Sequence, residues 1–147
     1  MEDRLTRTRS KADFRLLRDM VGVSQMWVAK RLGVTKQTVL NWENPKEFYP
    51  PRREAWDLME GLWREADEKA SAMVDLAVSA AGIARERGIE PAPMTLSYYR
   101  SIEDYVRAGH GEDEGMWRVE NAAVRLAADR LRVLGVPAGV VYVEPMP

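Results

Sequence analysis

The 147-residue chain contains no cysteine and a single histidine, His110. The first absence removes disulfides, thiolate metal sites and cysteine nucleophiles. The second leaves no way to build a multi-histidine metal site within one chain. No apolar run approaches the roughly 18 residues that a membrane span needs. The opening MEDRLTRTRSK lacks the apolar stretch of a signal peptide, so a cytoplasmic protein with no membrane partner is expected. No glycine-rich phosphate loop, Ser/His/Asp set or paired catalytic carboxylates can be picked out. The expectation is therefore a protein that is not an enzyme and has no catalytic residues, metal site or cofactor.

What is present is a globular composition, with 46% hydrophobic and 31% charged residues, which is too apolar for a disordered chain. The net charge of -1 hides an uneven distribution. Residues 1–56 hold 12 Lys/Arg against 7 Asp/Glu, a balance of +5, and residues 57–147 hold 10 against 16, a balance of -6. A basic half facing phosphate and an acidic half kept away from it would produce this asymmetry.

Capping residues and hydrophobic periodicity predict a mainly α fold. Residues 1–9 read as a flexible basic arm, and Ser10 with Asp13 forms a capping box. The helix it opens carries Phe14, Leu17 and Val21 on one face and stops at Gly22. Ser24 caps a second helix with Val28 and Leu32 inward, broken at Gly33. Thr35 caps a third that ends near Asn44, because Pro45 disfavours helical backbone there. Pro51 is placed at the start of a long helix, predicted over residues 51–87. Its apolar positions run Ala55, Met59, Leu62, Ala66, Ala70, Met73, Ala77, Ala81 and Ala84 at a mean spacing close to 3.6 residues, with room for a slight bend at Gly61. Gly88 and Pro91 end it.

The remainder predicts a small α+β part. Residues 94–100 and 139–143 read as two short strands that pair, and Ser101 with Asp104 opens a short helix to about Ala108. Residues 116–134 form a helix with Arg118, Arg125, Asp129 and Arg132 wet and Val124, Ala127, Leu131 and Leu134 dry. Tyr98 and Tyr99 point to opposite faces of a strand, so one is expected to be buried. Glu112 to Glu114 read as a solvated run favouring the next helix start, and His110 as a loop residue. Trp56 and Trp63 are expected in the core, and Trp27 over the Phe48-Tyr49-Pro50 loop.

The segment GVSQMWVAKRLGVTKQTVLNWEN (22–44) resembles the lambda-repressor/Cro (XRE) type helix-turn-helix family. The shared pattern is an arginine, then G-hydrophobic-S-Q, a hydrophobic-A pair, hydrophobic-G-V-[ST], and a third helix ending W-E-N, and the likeness spans roughly residues 12 to 60. It implies a helix-turn-helix of four to five helices in residues 1–62. Residues 63–147 then supply the rest of the long helix and a C-terminal dimerisation domain, in which Tyr98-Tyr99-Arg100 and the Trp117 helix resemble regulators of the anti-CRISPR-associated repressor type. Where the family commonly has glycine after E-N this chain has Pro45, so the next loop takes another path, with Lys46, Arg52 and Arg53 as candidate phosphate contacts.

The resemblance implies that the third helix, 35–44, enters the major groove. Lys36 would reach guanine, Gln37 and Asn41 adenine, and Leu40 a thymine methyl. Gln25, Thr35, Thr38 and Lys46 would serve phosphate, and Arg4, Arg7 and Arg9 the backbone or minor groove. Arg18 and Glu43 match an internal ion pair and are read as structural. Two functions fit. One is a sequence-specific transcriptional regulator, a dimeric repressor reading a palindromic operator in double-stranded DNA. The other is an antitoxin or interaction module whose acidic C-terminal half binds a protein partner. A homodimer is expected from the apolar stripe that continues beyond Leu62 for roughly 33 Å.

Overall fold

The computed structural model describes residues 9–144, so the expected arm, with Arg4 and Arg7, lies outside the described residues up to Arg9. Among the described residues are six helices and two strands: α1 (Lys11–Val21), α2 (Gln25–Leu32), α3 (Lys36–Glu43), α4 (Arg53–Glu86), β1 (Met94–Tyr98), α5 (Ile102–Arg107), α6 (Glu114–Leu134) and β2 (Ala138–Tyr142). The fold is mainly α with a small two-stranded sheet. Two compact units divide the chain at Arg64 and Glu65. None of the described helices is long and apolar enough to cross a membrane.

In the first unit the helices begin and end where the capping residues dictate. The Ser10 hydroxyl accepts from the Asp13 amide while the Asp13 carboxylate accepts from the Ser10 amide, both at 3.0 Å. Ser24 caps α2 and Thr35 caps α3 in the same way, each accepting from an amide three residues on. Among its described residues the unit has four helices, counting the start of α4. Its centre is Phe14, fully buried, with Trp42 and Trp56 edge-on at 6.0 and 5.4 Å. Burying Phe14 contributes about 1.5–3 kcal/mol, and Val21, Val23, Val28, Val39 and Met59 are buried in the same unit. The long helix starts later than the sequence suggests. Pro51 precedes it, and the Arg52 carbonyl accepts from the Ala55 and Trp56 amides. It continues through Gly61 without a break.

The second unit packs the later part of α4 against α6 and the sheet. Ala70, Ala77, Leu96, Val124, Ala127 and Leu131 form its buried cluster, the alanines providing small contact surfaces. Lys69 pairs with Glu120, and Arg130 reaches Asp67 at 2.5 Å. The Asn121 side chain both accepts from the Tyr99 amide, at 2.9 Å, and donates to its carbonyl, at 2.8 Å. That clamp fixes the end of β1 to α6. The strands pair in parallel from Met94↔Ala138 to Tyr98↔Tyr142, an arrangement that requires a long crossover, here α5 and α6.

Several positions differ from the sequence reading. β1 ends at Tyr98, before the Ser101 cap, and β2 starts one residue early. α6 begins at Glu114 because Asp113, not a later residue, caps it by accepting from the Gly115 amide. Leu134, expected to be dry, is 58% exposed. Gly135 turns the chain there, and Val136 packs on the core in its place. Tyr98 and Tyr99 are both half-buried, because each carries its hydroxyl to a partner at the rim, Arg125 and His110 respectively.

β2 is exposed at all five positions. The Pro137 carbonyl and the Val143 amide both bond to β1. By strand alternation the backbone groups of residues 137, 139, 141 and 143 face β1. Those of Ala138, Val140 and Tyr142 therefore face outward along an edge that no other described strand covers.

Candidate nucleic-acid interface

The turn between α2 and α3 sets the geometry. Gly33 adopts a left-handed φ of 68°, which a side chain would strain. The Val34 amide then reaches back to the Ala29 carbonyl at 2.9 Å. Ala29 is buried, Val39 fully so and Val34 partly, so the inner side of α3 is fixed by apolar contact. Its outer side carries Lys36, Gln37 and Leu40, all exposed, with Thr38 and Asn41 half-buried. The Gln37 amide donates to Asn41 Oδ1 at 2.8 Å. Thr35 and Thr38 hydroxyls share a hydrogen bond at 2.9 Å at the helix start.

The far end of α3 is held by an ion pair. Arg18 Nε and Nη2 donate to the two oxygens of Glu43 at 2.7 and 2.8 Å, and Nη1 donates to the Val23 carbonyl at 3.2 Å. The side chains are 9% and 5% exposed. The Arg18 pKa is raised above its ordinary value, the hydrogen bond to Glu43 outweighing the opposing effect of burial. Gln25, at the first position of α2, also donates to Glu43, at 3.3 Å. Arg15 stands 3.6 Å away.

Three engaged residues carry no local sequence signal. Lys11 Nζ donates to the Asn41 and Tyr49 carbonyls, both at 2.6 Å, and so ties α1 to α3 and to the loop after it. Arg9, read from sequence as following the DNA backbone or entering the minor groove, forks onto the buried Glu60 at 3.0–3.2 Å and lies over Trp56. The carboxylate that claims it is 51 residues away.

The loop after α3 also departs from expectation. Phe48 is 88% exposed and packs edge-on against Tyr49, so Trp27 does not cover it. Trp27 lies instead beneath the Arg31 guanidinium. The Lys46 side chain is exposed, while its amide donates to Asn44 Oδ1. A cleft lined by Thr38, Asn41, Trp42, Tyr49, Pro50 and Arg52 joins this loop to the outer side of α3. Among the described residues no group of three or more acidic or histidine side chains stands where a metal ion could be held. No known protein-family model matches the chain, and no curated protein matches it.

Proposed function

We propose that the chain is a sequence-specific DNA-binding transcriptional regulator, a homodimeric repressor whose α3 enters the major groove of a palindromic operator. The observation that carries this reading is the outer side of α3. A short helix is held rigidly from behind, at Gly33 and by Arg18–Glu43, and turns Lys36, Gln37, Leu40 and Asn41 outward. Lys36 suits guanine O6 and N7. The Gln37–Asn41 bond uses one donor and one acceptor, leaving Gln37 Oε1 to accept and Asn41 Nδ2 to donate. Adenine offers the complementary pair, an N6 donor and an N7 acceptor. Leu40 meets a thymine methyl.

Phosphate falls to the groups around the helix starts. Gln25 retains a second amide proton beyond the one given to Glu43. Thr35 and Thr38 stand at the N-terminus of α3, where amide groups favour an anion, and Lys46 lies past its other end. The +5 balance of residues 1–56 supports the same assignment. Self-association is supported by β2, whose outward edge carries Val140 and Tyr142, with the exposed Val141 beside them. A small sheet with an open edge recruits a further strand, and a two-fold copy would supply one.

The test is selection of bound duplexes from a random pool by the full chain. The expected result is a palindrome with half-site centres about 34 Å, or a multiple of it, apart. Affinity for the selected duplex should fall linearly on a log–log plot against salt. A flat salt dependence, or a pool that stays random, overturns the reading.

A further inference from the structure

Phe48 and Tyr49 pose a physical problem that the groove reading leaves unanswered. They are 88% and 71% exposed, adjacent, and in edge-on contact with centroids 5.5 Å apart. Such a pair held in water signals a contact surface. The loop that presents them is braced. Lys11 Nζ bonds the Tyr49 carbonyl, the Lys46 amide donates to Asn44 Oδ1, and the Glu47 amide donates to the Asn44 carbonyl. Prolines stand on both sides, at 45 and at 50–51.

We propose that Phe48 and Tyr49 pack as an apolar pad on the deoxyribose backbone at the rim of the groove that α3 enters. This rests on the DNA-binding reading. The placement follows from length. The eight residues of α3 extend about 12 Å, close to the roughly 12 Å width of the major groove, so the loop leaving α3 stands beside the sugar–phosphate wall. Tyr49 and the base-reading residue Asn41 line one cleft, so both face the same partner. Charge picks duplex DNA as that partner. Residues 44–53 carry Lys46, Arg52 and Arg53 against Glu47 alone. Lys46 and Arg52 are exposed, placed to take the phosphates on either side of an apolar sugar contact.

A sugar contact has a signature that separates it from base reading and from phosphate binding. Phe48→Ala and Tyr49→Ala should each weaken binding about tenfold, or ~1.4 kcal/mol. The loss should be equal on the selected duplex and on a scrambled one, and the salt slope should not change. Lys46→Ala should instead lower the salt slope by about one. Melting temperature should be unchanged in both aromatic variants, because the Phe48 ring is in water and Lys11 holds the Tyr49 carbonyl, not its ring. Unchanged affinity in both variants overturns the pad. So does a loss confined to the selected duplex, which would make the rings base readers. So does a weakened dimer in sedimentation with normal DNA binding, which would make them a protein contact. A wild-type chain that binds no duplex overturns the underlying reading, and the pad with it.

Discussion

Removing Arg18 should destabilise the first unit without touching the surface proposed to face DNA. Arg18→Ala deletes two charged hydrogen bonds to Glu43 and one to the Val23 carbonyl, leaving a carboxylate that is 5% exposed. Breaking a buried pair from one side costs about 3–5 kcal/mol. Arg15 at 3.6 Å and the Gln25 amide remain as partial replacements, which sets the expected loss at about 3 kcal/mol. For a unit of this size each kcal/mol moves the midpoint by about 4–8 °C, so melting should fall by at least ~12 °C. The assay is circular dichroism melting at neutral pH, paired with DNA binding measured well below the new midpoint. Binding there should stay specific, since Arg18 is buried behind α3. The double variant Arg18→Met with Glu43→Leu should recover most of the loss, because an apolar pair leaves no stranded charge. A single variant that melts like the wild type, or one that melts normally and loses DNA, refutes the reasoning.

Gln37→Ala and Asn41→Ala should each cost about 1–3 kcal/mol on the selected duplex and little on scrambled DNA; equal losses on both would remove them as base readers. Val140→Pro deletes an outward-facing amide of β2 while leaving the bonds to β1, so it should give a folded monomer in sedimentation; a dimer of unchanged strength would place self-association elsewhere. Burial, with Glu120 nearby, raises the pKa of Tyr99 and Tyr105, so ultraviolet titration should show a component that ionises late and is lost in the Tyr99→Phe, Tyr105→Phe variant. A raised folded pKa stabilises the fold below the ordinary tyrosine pKa of about 10, and this contribution is lost as pH rises through the folded values. The absence of any late component, or one that persists in that variant, would refute it.

Local signals made much of this fold legible. Ser10, Ser24, Thr35 and Ser101 cap the helices they were read to cap, and Gly22, Gly33 and Gly135 end theirs in left-handed geometry. The same 3.6 spacing that buries Phe14, Val28 and Val39 puts Lys36, Gln37 and Leu40 outside. Capping and periodicity are properties of neighbouring residues, and a sequence displays them directly. The Arg9–Glu60 fork, the Lys11 bonds and the parallel sense of the sheet depend on where distant segments meet. Leu134 is in phase with the apolar stripe of α6, but the helix ends there, since Gly135 redirects the chain and Val136 takes up the packing. At the candidate interface, outward position was readable but the Gln37–Asn41 link and the turn of Gln25 toward Glu43 were not.

The parallel pairing of β1 with β2 also orders events in time. Met94 and Ala138 are register partners 44 residues apart, and contacts of such separation form late because the intervening loop must first be closed. Synthesis adds a second delay, since β1 emerges with no strand to pair with until α5 and α6 have followed it. Any surface that β2 carries therefore exists only after the helices before it have been made and packed. A chain interrupted before Ala138 would contain every residue assigned to the outer side of α3 and none of the outward edge that β2 carries.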